Sequence, residues 1–380
     1  MTEPQRTSWR RLLGRLENPG LSAPQERALN VALVVVPLLL LAGWGVVISG
    51  AAAGDQRLLV GRALTTNPLS GDAPPPAAFV LDRLARLAAS ETGWRGESGA
   101  VRAIITQPGD SLALADTLGL DSLPPDTRLE VLQVDSPGVR AAAEATSERP
   151  GAWNVLIRAR DEVRRVAEVS VLTPVSTELI RDGRLGQYVI GEWPSTAGRG
   201  GQLESSAYDA PRGLIRVTPS NVDLPVSEHL VLGDFLTKGQ ADVWPKYVVI
   251  SPRILDKLEL TFQELERMGH PVENVGIISG FRTPNYNAHG GSTAGRGSLS
   301  RHIYGDAMDF YIDNDRDGRM DDLNADGRVN RGDAEVIAEA AARVEEAYPE
   351  YVGGIGIYSP NPGAHSGFVH IDTRGYRARW

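Results

Sequence analysis

The chain has 380 residues, 42% hydrophobic and 23% charged, enough for two or three domains with ordinary cores. A formal net charge of -9, much of it in the Asp-rich run from Asp306 to Asp333, argues against sequence-independent nucleic-acid binding, which needs a basic footprint. Cysteine is absent, so thiol catalysis, thiolate metal sites and disulfides are all excluded, and any compartment is compatible.

Residues 1–27 carry Arg6, Arg10, Arg11, Arg15 and Arg27 against Glu3, Glu17 and Glu26. Residues 28–54 hold no charge, and 31–48 are almost wholly aliphatic. About twenty apolar residues cross a bilayer as a helix, and Pro37, Gly43 and Gly45 are tolerated there. Residues 28–50 therefore read as a transmembrane helix or signal anchor. The arginine excess keeps residues 1–27 in the cytoplasm. The chain is then a single-pass protein of the inner membrane whose remaining domains face the periplasm or cell wall. A cleavable signal peptide is the alternative, since residues 50–54 are all small, and both readings export the rest.

Residues 51–91 read as a linker with a short helix. Asn67, Pro68, Gly71 and Pro74 are loop formers, and Phe79, Leu81, Leu84 and Leu87 follow at helical spacing. Residues 92–222 form a small, mainly β domain. Short apolar runs at 101–106, 129–134, 153–158, 166–172, 188–190 and 214–217 are punctuated by turn residues, as in an antiparallel sandwich or barrel. A helical stretch is expected at 139–146. No histidine precedes His229, so this module reads as a spacer or wall-contact domain.

Residues 223–380 open with an amphipathic helix over 252–268, in which Ile254, Leu255, Leu258, Leu260, Phe262 and Leu265 share a face. A short buried strand at 275–279, another at 310–312, a helix at 334–347 and strands at 354–358 and 368–371 follow. This order predicts an α+β domain, an antiparallel sheet with helices.

The chemistry concentrates in this last module. Ser300, His302, Gly305, Ala307 and Asp309 stand in an S-x-H-x-x-G-x-A-x-D frame, and His370 follows near the chain end. Two imidazoles and one carboxylate suffice to hold zinc and leave a position open to water. His302 and Asp309 are too far apart for one helical turn. A turn before a strand presents both to one ion, with His370 supplied by a neighbouring strand. His229, His270 and His289 have no partners in frame.

The segment Ser279-Gly280-Phe281-Arg282-Thr283-Pro284, the frame from Ser300 to Asp309, and Phe368-Val369-His370-Ile371-Asp372 together resemble the peptidase M15 family. These are zinc D-alanyl-D-alanine carboxypeptidases and murein endopeptidases. The resemblance covers residues 225–380 and implies a zinc peptidase domain acting on peptidoglycan. It gives His302, Asp309 and His370 the zinc-ligand places and Arg282 a place at the substrate, gripping a stem-peptide carboxylate. It gives Ser300 a place orienting substrate or the His302 loop, and Asp372 the support of a ligand imidazole. Some members carry a carboxylate three residues before the last ligand; here that position is Gly367. His365 is the nearest replacement as general base, with Asp306 and Asp372 as alternatives. A non-catalytic peptidoglycan-binding or scaffold protein that keeps the fold is the rival reading.

Between these motifs lies an acidic insertion, residues 313–333. Asp322, Asn324, Asp326, the Arg328 carbonyl, Asn330 and Asp333 fall at the ligand positions of a calcium loop, with Gly327 at its turn. Position 12 is Asp, which resembles a dockerin loop more than an EF-hand. Asp313, Asp315 and Asp317 begin an overlapping frame. A structural Ca2+ ion is expected there, beside Zn2+ at the histidines.

Overall fold

The alternating apolar runs pair as strands. β1 (Arg102–Ile105), β2 (Thr127–Gln133), β3 (Arg140–Ala142), β4 (Gly151–Ala159) and β5 (Glu162–Thr173) form one sheet in the order β1-β5-β4-β2-β3. A one-turn helix, α1 (Leu114–Thr117), lies between β1 and β2. β1 runs parallel to β5 and the other pairs are antiparallel, so the runs between 101 and 172 form one mixed sheet in place of the expected sandwich or barrel, and the runs at 188–190 and 214–217 pair in two smaller sheets. The helix expected at 139–146 is also corrected, because β3 pairs with β2, setting Glu130 opposite Ala142 and Leu132 opposite Arg140. The unpaired backbone edge of β2 takes up this alanine-rich segment, and pairing overrides its helix propensity.

The computed structural model describes residues 101–380 apart from 110–113, 119–122, 125, 136–139, 143–148, 197–202, 204, 292, 294–295 and 362–364. The expected cytoplasmic segment, membrane helix and linker lie outside the described residues. Among the described residues, no helix is long and apolar enough to cross a membrane.

β6 (Val175–Ser176) leads to a small hairpin, β7 (Arg184–Leu185) with β8 (Tyr188–Val189). β9 (Gly213–Val217) and β10 (Lys246–Val248) join β6 in a three-stranded antiparallel sheet. α2 (Pro252–Arg267) starts after Ser251 with Pro252 in its first turn, where a missing N–H costs nothing. The third sheet is built from β11 (Val275–Ser279), β12 (Ala307–Ile312), β13 (Gly354–Tyr358), β14 (Phe368–Asp372) and β15 (Ala378–Arg379), in the order β11-β12-β14-β13-β15. Its pairs are antiparallel except β13 with β15. As an edge strand, β11 is half-buried rather than buried as expected.

Two more helices complete this part. α3 (Pro284–His289) is capped by the Thr283 hydroxyl, which accepts from the Tyr286 N–H. α4 (Arg331–Ala347) has a capping box: Asn330 Oδ1 accepts from the Gly332 N–H, and Asp333 accepts from the Asn330 N–H.

The third sheet has two unlike faces, because side chains alternate along a strand. Met308, Phe310, Ile312, Val369, Ile371 and Ile355 are buried on one side. α4 packs against β13, β14 and α2, and Phe262 of α2 meets Phe310 edge-on at 5.5 Å. One apolar cluster runs from Ala103, Ala152 and Leu172 through Val217 and Phe235 to Ile371.

A buried ion pair ties this core to the strand that ends at Asp372. Lys257 of α2, wholly buried, donates to Glu345 Oε1 of α4 and to the Asp372 carbonyl, each at 2.7 Å. Removing Lys257 leaves Glu345, among the described residues, with only the part-exposed Arg379 and the Gly353 N–H as partners. Lys257→Met is expected to lower stability by about 3 kcal/mol in urea unfolding.

Candidate metal centre

The other face of the third sheet carries a row of paired residues across four strands. Ser279 of β11 stands opposite Asp309 of β12, Asp309 opposite His370 of β14, and His370 opposite Gly356 of β13. Cross-strand neighbours have Cβ atoms about 5 Å apart, so a carboxylate and an imidazole so placed are in contact. His370 Nδ1 lies 2.7 Å from Asp309 Oδ1.

His302 reaches the same point from a 3-10 turn, Arg301–Tyr304. Gly305 ends that turn in the left-handed region, φ 71°, and a Cβ there would lie 2.4 Å from the Val249 carbonyl oxygen. His302 Nε2 is 3.1 Å from Asp309 Oδ1 and 3.2 Å from His370 Nδ1. All three residues are buried.

The outward atom of each ring is already bonded. His302 Nδ1 donates to the Gly280 carbonyl at 2.6 Å, and His370 Nε2 donates to Asp372 Oδ2 at 3.1 Å. In the neutral rings these bonds fix the tautomers, so both inward nitrogens then present lone pairs towards Asp309 Oδ1. Three acceptors within 3.2 Å repel one another unless a cation or proton lies among them. Donors on a tetrahedral zinc, at about 2.0–2.2 Å from the ion, stand about 3.3 Å apart, which fits this set. The cluster can therefore hold a metal ion.

Charge around the cluster is steered by its neighbours. Burial alone would lower the His370 imidazole, but Asp309 and Asp372 on either side outweigh it and raise it to about 9. Burial dominates at His302 and lowers it. Asp309, despite burial, is held well below the usual carboxylate range by His302 and His370. Asp372 is likewise held low by His370 and Arg374 against its burial. Asp372 also accepts from the Gly354 N–H at 2.8 Å, which holds its carboxylate beside the His370 ring.

Arg282 lies beside the cluster, but its fork is engaged by the protein. Its Nη2 donates to Asp309 Oδ2 at 2.6 Å and its Nε to Ser279 Oγ at 2.8 Å. The guanidinium holds the outer oxygen of Asp309 and leaves Oδ1 turned to the histidines. Arg282, Ser300, His302, Asp309 and His370 all line one open cleft of about 570 Å³. Phe368 lines it too, as do Arg296, Tyr358, Arg374 and Trp380, which the sequence did not single out. The Trp380 ring centre is 5.1 Å from that of His370, and its Nε1 donates to the Tyr358 hydroxyl at 2.7 Å. The ring lies over Gly356, where a Cβ would sit 2.4 Å from it.

The candidate bases fare differently. Asp306 is buried in an ion pair with Arg301, at 2.5 Å and 3.0 Å, and Asp372 is committed to His370 and Arg374. His365 lies outside the residues that line the cleft. Its ring meets Phe368 edge-on at 5.1 Å, and its Nδ1 lies 2.7 Å from the Ser366 carbonyl. A Cβ at Gly367 would fall 2.6 Å from Met320 Cε and 3.2 Å from Pro360 Cδ, so side-chain room exists only if the insertion yields. His229, expected to stand alone, is bonded at 2.7 Å to the buried Glu259. His289 is exposed at the end of α3.

In the acidic insertion, one oxygen each from Asp313, Asp315 and Asp317 converge closely enough to share an ion. The frame over 322–333 is differently disposed, since both oxygens of Asp333 accept backbone N–H groups, from Asn324 and Asn330. Asp322 and Asp326 accept from the N–H groups of Gly327 and Arg328. Asn330 Nδ2 donates to the Arg328 carbonyl.

Comparison with family models, curated proteins and solved structures finds no match to this chain. With His370 raised to about 9, a metal entering at pH 7 displaces a proton from it. Zinc titration calorimetry at pH 7 in buffers of different ionisation enthalpy is expected to count about one proton released. Affinity is expected to rise with pH up to about 9.

Proposed function

We propose that this chain is a zinc peptidase that hydrolyses peptide bonds in peptidoglycan stem peptides or cross-links during cell-wall remodelling. The observation that carries this reading is the convergence of His302 Nε2, His370 Nδ1 and Asp309 Oδ1 at an open cleft. The M15-like motifs support the substrate class. The chemistry of the cleft supports it as well, since arginines and aromatic rings suit a peptide that bears carboxylates. The apolar run at 28–50 supports an inner-membrane anchor that leaves the domain facing the wall, with 92–222 as a spacer.

His302, Asp309 and His370 would hold zinc, which supplies Lewis acidity and an activated water when bound. The Gly280 carbonyl and Asp372 hold the imidazoles in the required tautomer. Arg282 fixes Asp309, and is a positioning residue before it is a substrate contact. Ser300, Arg296 and Trp380 bound the space for the substrate. His365 remains the best candidate for proton transfer, because Asp306 and Asp372 are tied in ion pairs; it must turn from the Ser366 carbonyl to act.

One observation favours a second reading, a wall-binding protein without activity. Among the described cleft residues, no carboxylate or imidazole outside the ligand set faces the substrate space. Mass spectrometry of muropeptides after incubation separates the two. The peptidase reading expects new products that vanish with a chelator and in His302→Ala, and a kcat lowered about 100-fold or more in His365→Ala. Absence of any chelator-sensitive product, with sacculus affinity retained in His302→Ala, would establish the binder instead.

A further inference from the structure

The insertion after β12 is more than an appended acidic turn. Asp313 directly follows the strand that carries Asp309, and only 5% of it is exposed. Its Oδ2 accepts from the Gly318 N–H, while its Oδ1, also buried, has no hydrogen-bond partner among the described residues. A buried carboxylate oxygen left bare is costly, and the oxygens of Asp315 and Asp317 that converge with Asp313 add like charge. A hard divalent cation among them removes both penalties at once.

The same loop is fastened to the cleft. The Asp321 N–H donates to the Ile312 carbonyl at 2.9 Å, and the Asn314 N–H to Asp321 Oδ2 at 3.0 Å, which closes residues 312–321 on themselves. Met320, 1% exposed, belongs to the main apolar cluster, and its N–H donates to Ser366 Oγ at 2.7 Å. Its methyl group lies against Gly367. The next residue, Phe368, lines the cleft and stacks on Tyr358 with ring centres 4.4 Å apart.

We propose that residues 313–321 bind one calcium ion, and that this ion holds the cleft wall at 366–368 in place through Met320. The donors are all oxygens: Asp313, Asp315 and Asp317, with the Arg319 carbonyl and Asp321 at the next ligand positions of the frame. Oxygen donors in this number suit calcium, whereas magnesium keeps more of its own water. The adjoining frame at 322–333 is the weaker, having Asn324 where the first has Asp315. That the cleft so bounded is catalytic rests on the peptidase reading; the binding and its effect on residues 366–368 do not.

The test uses the full chain and calcium chloride alone, with calorimetry and amide hydrogen exchange as readouts. The wild type is expected to bind calcium, with slower exchange at Met320 and over 366–368. Asp315→Asn with Asp317→Asn is expected to weaken binding about tenfold or more and abolish the slowing. Asp322→Asn with Asp326→Asn, which spares the loop, is expected to keep both. No calcium binding, or binding unchanged in the 315/317 variant, overturns the site. Binding that leaves exchange at Met320 and 366–368 unaltered overturns the coupling. Neither readout needs a cleavable substrate, so an inactive protein that still shows both would sink the peptidase reading alone.

Discussion

Because β12 and β14 pair with Asp309 directly opposite His370, two groups 61 positions apart in sequence meet at 2.7 Å without help from any loop. A slip of one residue in that register would turn one of the two strands over, put Asp309 and His370 on opposite faces, and bring apolar side chains of that strand to the cleft. The alternation of Met308, Phe310 and Ile312 with Asp309 and Tyr311 forbids the slip, since each apolar member is buried. The core is thus what specifies the polar row. His302 is then added from outside the sheet by a turn whose left-handed glycine fits against Val249.

Each member of the row is held by a bond on its far side. Ser279 bonds Arg282, Arg282 bonds Asp309, the Gly280 carbonyl bonds His302, and Asp372 bonds His370. Asp372 is in turn clamped by Arg374 and the Gly354 amide, and its carbonyl is bonded by Lys257 from the core. A chain of partners therefore runs from the buried Lys257–Glu345 pair to the inward nitrogen of His370. Pre-orientation of this kind leaves the three inward atoms little freedom to relax apart, which is what a metal site requires.

His302, Asp309 and His370 were legible in the sequence because a turn, a strand and a neighbouring strand each declared themselves by local pattern. Helices α2 and α4 were legible for the same reason, through their apolar faces. What escaped was set by pairing. β3 is a strand because β2 offers an edge, a fact no local window over 139–146 contains. Trp380, Tyr358 and Arg296 reach the cleft from separate segments whose adjacency exists only once the sheet order is known. Asp306 read as a spare carboxylate because its partner, Arg301, is drawn to it by a turn and by stacking between Tyr208 and Tyr304.

Gly367 and the acidic insertion, separate puzzles in the sequence, are one packing fact in the fold. The position three residues before His370 faces Met320 and Pro360, and the insertion that contributes Met320 also bonds Ser366 beside it. A carboxylate at 367 would have to displace a methionine that is 1% exposed and part of the main core. It would also bring another negative charge near a loop already rich in aspartates. The glycine is therefore what lets the insertion close against the cleft wall. Among the described residues the His365 imidazole, bonded to the neighbouring carbonyl and in edge contact with Phe368, is less firmly tied than the Asp306 and Asp372 carboxylates, each of which is held by an arginine.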